Sequence, residues 1–229
     1  MRLRRVFFIA AAPSILGGCA TFATVRSAEP YAGSSVALQA SGSTPPGDLA
    51  SWFWSFDCAE RCNHSIVAGD LGYTYGWRPE SGPRAVALGA GISGASPYVD
   101  GYVQLGGGPR PFGLGARLGV PVWSWRDHQL YARYDIPIAG ETRVLLNPGV
   151  FLHEGQSPNG QSSGSFLGVV QGVGLQVDGE YVSWTPAVAV VAGQSRRDRY
   201  GSRDGPTSSV FATASMGMTF HRRLVKGGH

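Results

Sequence analysis

The sequence is short of charge. Asp, Glu, Lys and Arg make up 15% of its 229 residues, against about 25% in soluble domains. Lysine is nearly missing: Lys226 is the sole one, and the other basic side chains are arginines. A soluble domain covers its outside with Lys and Glu, and this chain has too few to do so. Formal net charge is +4. Loss of Arg2, Arg4 and Arg5 with a leader would bring it to 4 − 3 = +1, which leaves a nucleic-acid role without electrostatic support. Helical periodicity of useful length is also missing. The apolar stretch Val6–Leu16 is too short for a spanning helix and is interrupted by Pro13. Cysteine is scarce, at three residues.

What is present starts at the N-terminus. A basic start (Arg2, Arg4, Arg5) precedes the apolar stretch, which ends in Leu16-Gly17-Gly18-Cys19. The layout is that of a signal peptide, with a cysteine where an ordinary A-x-A site would stand. Residues 1–19 resemble a bacterial lipoprotein signal with its lipobox. The resemblance implies cleavage before Cys19 and acyl chains, palmitate among them, on that cysteine. Ala20, where an aspartate would favour inner-membrane retention, implies transfer to the outer membrane. An ordinary secretory signal with an incidental cysteine is the competing reading.

Cys58 and Cys62 fit a disulfide closing a small loop in an oxidising compartment. The competing metal site, with Asp57, Glu60 and His64, lacks a fourth convincing ligand. No cofactor is expected. Asn63-His64-Ser65 matches a glycosylation sequon, read as coincidence in a bacterial chain.

Residues 20–33 are rich in Ser, Gly, Ala and Pro without periodicity and read as a tether. From about residue 34 period-2 segments alternate with Gly, Pro, Asp and Ser turns. They fall at 65–78, 84–93, 98–106, 112–123, 128–138, 142–153, 164–177, 181–193 and 208–221. A tenth strand precedes them, at 34–41 or at 50–56. The expected organisation is a signal peptide over 1–18, a lipidated tether over 19–33, a β domain over 34–221 and a basic tail over 222–229.

One face of each segment is apolar, as in Leu130, Ala132, Tyr134, Ile136 and Ile138. The other is mostly Gly, Ala, Ser and Thr, with scattered ions. That second face is a poor water-facing surface and a plausible inner wall for a narrow barrel. Its ions balance: Asp70, Asp100 and Asp135 against Arg117, Arg133 and Arg143. Paired across the lumen, they would plug it. Segments this long exceed the five or six residues of ordinary strands and suit tilted membrane-spanning ones. Links at 139–141 and 178–180 are tight; those at 154–163 and 194–207 are long. That alternation fits short periplasmic turns and longer outer loops. The fold class expected is therefore all-β: an antiparallel up-and-down transmembrane barrel of about ten strands, with eight possible. The lipid anchor would lie beside the periplasmic start of the first strand.

Trp77, Phe112, Trp123, Trp125, Tyr181 and Phe220 lie near strand ends and suit interface girdles, though aromatics favour strands anyway. Gly217-Met218-Thr219-Phe220 resembles the terminal signal of outer-membrane barrels but is followed by nine further residues. At family level, 34–221 is similar to small outer-membrane β-barrels by pattern.

Three functions follow as expectations. The first is a structural or interaction barrel of the outer membrane, or a minor pore. Its partners would be membrane lipid, lipopolysaccharide, and the machineries for barrel assembly and lipoprotein sorting. The second is a tethered soluble barrel that binds a ligand like a lipocalin, although the lipocalin G-x-W signature is missing. The third is an outer-membrane enzyme acting on lipid A or peptide. Its sole nearby catalytic set is His153, Glu154 and Ser157, and adjacent strand residues point to opposite faces. His64, His128 and His221 read as solvated histidines near strand ends. Arg196-Arg197-Asp198-Arg199-Tyr200, with Arg203, reads as a basic loop able to meet phosphates.

Overall fold

The computed structural model describes residues 24–43, 66–93, 96–120, 125–156, 162–199, 202–203 and 206–221. Cys19, Cys58, Cys62, Asp57, Glu60, His64, Trp123 and Ser157 lie outside these residues. So do the signal segment, the C-terminal tail and the candidate strand at 50–56.

Among the described residues eleven strands follow in chain order. They are β1 (Gly33–Ser43), β2 (Ile66–Trp77), β3 (Ala85–Ser93), β4 (Ser96–Gly106), β5 (Phe112–Gly119), β6 (Trp125–Ala139), β7 (Thr142–Gln156), β8 (Ser162–Asp178), β9 (Val182–Arg199), β10 (Ser202–Arg203) and β11 (Thr207–His221). Among the described residues there is no helix. Each long strand runs antiparallel to the next, and β1 pairs with β11, from Ser35↔His221 to Ser43↔Thr213. That seam closes ten strands into a barrel. The two residues of β10 extend the β9 ladder ahead of β11. The first strand is thus the 34–41 candidate, lengthened by a residue or two at each end.

Both described ends of the chain's barrel domain, the start of β1 and the end of β11, lie at one end of the barrel. The links 78–84, 107–111, 140–141 and 179–181 are at that short-turn end. The links 44–65, 94–95, 120–124, 157–161 and 200–206 are at the other, the long-loop end. The alternation is imperfect, since 94–95 is short and 78–84 is not. Two loops read from polarity prove partly to be strand. Arg196 to Arg199 belong to β9 and pair with Ser165 to Ser162 of β8. Ladder bonds join backbone groups, so polar side chains do not end a strand whose partner continues. Conversely, β5 stops at Gly119, short of the expected 123. Pro121, without an N–H, cannot donate to a ladder.

The wall is apolar outside. Leu114 is 56% exposed, Leu130 60% and Val188 60%. Leu88, Leu118, Leu167, Val169, Val173 and Val190 are exposed beside them. Trp77, Phe112, Tyr181 and Trp184 are exposed near the short-turn end, with Tyr73 and Tyr75 above Trp77. Inward residues form the core, and the inside is mixed. Towards the long-loop end Phe151 stacks on Phe166, ring centres 5.4 Å apart. Across the middle and the short-turn end the core is mostly polar and charged, with one apolar cluster of Val25, Leu145 and Ala187.

Candidate functional site

Residues 24–32 do not lie outside the barrel: they run inside it. This is the segment read from sequence as part of a tether. Tyr31 sits at the short-turn end. Its hydroxyl donates to Asp178 Oδ1 at 2.9 Å and accepts from Gln176 Nε2 at 3.0 Å. Ser183 Oγ lies 2.6 Å from it, and 2.8 Å from His221 Nε2. The Tyr31 ring stacks on His221, centres 3.8 Å apart and planes within 7°. His221, read as solvated, is therefore buried: the inserted tyrosine covers it.

Further in, Asp135 holds the segment by side chain and backbone together. Its carboxylate accepts from Ser27 Oγ at 2.5 Å and from the Ala28 amide at 2.8 Å. Tyr102 donates to the Ala28 carbonyl at 2.7 Å. The Arg26 amide donates to Asn147 Oδ1 at 2.8 Å. These partners satisfy backbone groups that no ladder reaches, as burial requires.

Arg26 enters the ion network of the wall. Its Nη2 lies 2.9 Å from Asp70 Oδ1, and its Nη1 4.0 Å from Asp100 Oδ2. Arg117 Nη1 holds the other Asp70 oxygen at 3.1 Å, and Arg133 Nη2 approaches Asp100 at 3.7 Å. Arg143 bridges Asp178 at 2.7 Å and Asp135 at 3.5 Å. The six ions assigned from sequence to the lumen all face inward here. Asp70, Asp100, Arg117, Arg133 and Asp135 are buried, and Arg143 is half-buried near the mouth. Three members of the network were not foreseen, Arg26, Asp178 and Glu29. With Asp178 counted, this part of the wall carries Arg117, Arg133 and Arg143 against Asp70, Asp100, Asp135 and Asp178, so 3 − 4 = −1. The segment adds Arg26 deep in this network, and Glu29 at the mouth, where its carboxylate lies 3.4 Å from Arg143 and 3.8 Å from the exposed Arg78. Low-dielectric surroundings penalise an unmatched charge heavily, so the wall is complementary to a cation at that spot.

Tyrosines carry the arginines. Arg117 lies 3.8 Å above the Tyr98 ring. Arg133 lies between Tyr102 and Tyr131, at 4.5 and 4.6 Å from their centres. Desolvated cation–π contacts of this kind contribute on the order of 2 kcal/mol. Glycines on neighbouring strands make the room. A Cβ at Gly91 would meet Tyr98 Oη at 2.5 Å, and Cβ atoms at Gly113 and Gly115 would strike Tyr102 and Tyr131.

Glycines also make room for the segment. A Cβ at Gly172 or Gly174 would stand 2.7 or 2.8 Å from a Val25 methyl. One at Gly72 would stand 2.8 Å from Arg26 Nη2. Val25 itself packs with Leu145 and Ala187. Beside the segment lies a cavity of about 50 Å³, bordered by Ser35, Thr74, Thr185 and Thr219 among others. That admits a few waters, whereas small-molecule sites start near about 300 Å³.

The catalytic candidates do not converge. His153 faces inward, paired through Nδ1 with Asp127 of the facing strand. Glu154 belongs to the same continuing strand, paired with Arg126, and alternation sends its side chain to the opposite face. Ser183, Asp178 and His221 lie together at the other end but lack the order of a catalytic triad. There the aspartate orients the histidine, whereas here Asp178 accepts from Ser183 at 2.7 Å. Ser183 is also fully buried beneath Tyr31. Among the described residues no group of three or more His, Cys, Asp or Glu is placed to hold a metal.

These features define a class: a closed ten-stranded antiparallel barrel, apolar outside and ion-paired inside, filled by its own N-terminal segment. No protein-family model matches the chain, and no curated protein matches it. Among solved structures it is similar to the crystal structure of the outer membrane protein OprG from Pseudomonas aeruginosa. Identity is 13% over 87% of this chain and 100% of that chain, with a TM-score of 0.40.

Proposed function

We propose that the protein is a lipid-anchored β-barrel of the bacterial outer membrane, with a structural or interaction role and a lumen closed by its own residues 24–32. One observation carries this reading: the polarity of the wall is inverted relative to a soluble barrel. Large aliphatic side chains are exposed on the outside all round, and the charges are inside. Water would oppose that arrangement at about 25 cal/mol per Å² of apolar surface, whereas hydrocarbon requires it. The exposed aromatics at the short-turn end suit an interface girdle.

The filled lumen favours a closed element over a minor pore, and the cavity of about 50 Å³ beside the segment does not favour a lipocalin-like reading. The separation of His153, Glu154 and the buried Ser183 group favours a non-catalytic role. Exposed Arg126 and Arg196 at the long-loop end suit phosphates of lipopolysaccharide.

Fractionation tests the reading. The full chain should stay with outer membranes through high-salt and carbonate washing. It should show heat-modifiable gel mobility, and the Cys19→Ser form that does insert should behave alike. Release of a soluble monomer after delipidation would overturn the membrane barrel. In planar bilayers the intact protein should pass no steady current; a steady ohmic conductance would return the pore reading to first place.

A further inference from the structure

Building on the membrane-barrel reading above, we infer that two copies of this chain associate side by side in the membrane. They meet through the outer face of β7, β8 and β9, joined by reciprocal hydrogen bonds between their Gln171 amides.

Gln171 is out of place on its wall. The other outward positions of β8 around it, Leu167, Val169, Val173, Leu175 and Val177, are all exposed aliphatics. Gln171 is exposed in the same series. Its partners across the ladders are Pro148 on β7 and Val190 on β9. Both are exposed and neither has a polar side chain.

The register also gives its depth. Val177 pairs with Trp184, one of the exposed aromatics at the short-turn end. Gln171 is 177 − 171 = 6 residues further along β8. At about 3.3 Å per residue and a tilt of about 40°, it stands roughly 15 Å above that aromatic level. The apolar band of such a barrel is about 25 Å tall, so the amide lies near its middle.

Hydrocarbon offers an amide nothing to bond. Gln171 Nε2 donates to the neighbouring Gly172 carbonyl at 2.9 Å. That uses one of its two N–H groups. Among the described residues nothing takes up the second, or the oxygen with its two lone pairs. In lipid such groups are satisfied by protein.

The membrane decides which partner reaches them. Copies of one barrel insert with the same orientation, so a two-fold axis between them runs along the membrane normal. Such an axis keeps every residue at its own depth and sets each against its own counterpart or its own row. In the row Pro148, Gln171, Val190 the glutamine side chain alone can both donate and accept. A second Gln171 therefore supplies an acceptor for the spare N–H and a donor for the oxygen. An acyl chain supplies neither. The surface around it lets the two walls approach. An open groove of about 730 Å³ lies over this face, with Gln171, Val169 and Val190 in its lining. Small or compact residues, Ala132, Pro148 and Gly149, also line it. Two convex barrels touch along a narrow line, and a groove widens that contact.

Sedimentation equilibrium of the full chain in density-matched detergent micelles tests this. Heat-modifiable mobility confirms that each variant folds. The unaltered chain should show a monomer–dimer equilibrium that shifts with the protein-to-detergent ratio. Gln171→Leu keeps much of the volume and removes both bonds. It should weaken association about tenfold or more, given the modest worth of hydrogen bonds inside membranes. Leu88→Ala, on β3 at the opposite wall, should leave association unchanged. A monomer at every ratio would leave the face to lipid or to another protein and overturn the inference. So would a dimer that Gln171→Leu does not weaken, or one that Leu88→Ala weakens as much. The barrel would stand in each of these cases. If the unaltered full chain stayed a soluble monomer without detergent, the membrane-barrel reading would fall and take the inference with it.

Discussion

The inserted segment meets two unlike walls. Towards β2, β4, β5 and β6 it is held by charges and hydrogen bonds: Arg26 to Asp70 and Asp100, and Ser27 and Ala28 to Asp135. Towards β8 and β9 it is held by shape around Val25, which sits against Gly172, Gly174 and Ala187, and by hydrogen bonds at the mouth alone, where Tyr31 meets Gln176, Asp178 and Ser183. The ionic wall selects which residue sits where, because a buried cation tolerates few positions. The glycine wall selects how close the backbone comes, because a side chain there would fill the same space. Position is thus specified chemically on one side and sterically on the other.

The sharpest way to break the comparison is to remove the charge both arginines share. Asp70→Ala leaves Arg26 and Arg117 facing one another without their carboxylate. Breaking a buried pair from one side costs about 3–5 kcal/mol. The midpoint of urea unfolding in lipid vesicles should fall accordingly. Asp70→Asn, which keeps the shape and part of the bonding, should lose less. If both variants lost under about 1 kcal/mol, the network would be solvated and the ionic wall would not position the segment.

The steric wall should answer to a different pair. Gly172→Ala puts a Cβ into Val25 and should cost on the order of 1–3 kcal/mol as overpacking. Val25→Ala alone should cost about 1–2 kcal/mol, from lost methyls at about 0.8 kcal/mol each. Together the two should cost less than their sum, because the smaller residue vacates the space the new Cβ needs. Simple additivity in the same unfolding measurement would mean that Val25 does not face Gly172. Neither change should respond to salt, whereas Asp70→Ala should if ions enter the vacated site.

The two walls were not equally legible in the sequence. The ionic wall reads directly, because a strand alternates faces: Tyr131, Arg133 and Asp135 separate cleanly from Leu130, Ala132 and Tyr134. The glycines read as small inward residues, which says that room is made but not for what. The occupant was not legible. Residues 24–32 have no period, since their bonds run to partners far along the chain, as from Ser27 to Asp135, 108 positions away. A segment rich in Ser, Ala and Pro looks the same whether it hangs free or fills a lumen. One signal was available: Asp178 is inward by the alternation of β8, and counting it leaves four aspartates against three arginines. That imbalance asks for a further cation, and Arg26 is the nearest unassigned one before β1. The extent of β9 was hidden for another reason, since Arg196 to Arg199 are paired through backbone groups that composition does not report.

Tyr31 joins the two walls at the mouth, and it sets the smallest of these effects. Its hydroxyl is one of several groups around Asp178, which also accepts from Gln176 and Ser183 and pairs with Arg143. Tyr31→Phe removes one donor from a carboxylate that keeps the others, and the ring still stacks on His221. The loss should be about 0.5–1.5 kcal/mol, the net worth of an ordinary hydrogen bond. Tyr31→Ala also removes the stack and uncovers His221 and Ser183. It should therefore cost more than Tyr31→Phe and admit water at the short-turn mouth. Faster hydrogen exchange at the Val182 and His221 amides in the alanine variant, but not in the phenylalanine one, would place the latch in the ring. Equal exchange in both would place it in the hydroxyl, and the mouth would then be held by charge, like the wall above it.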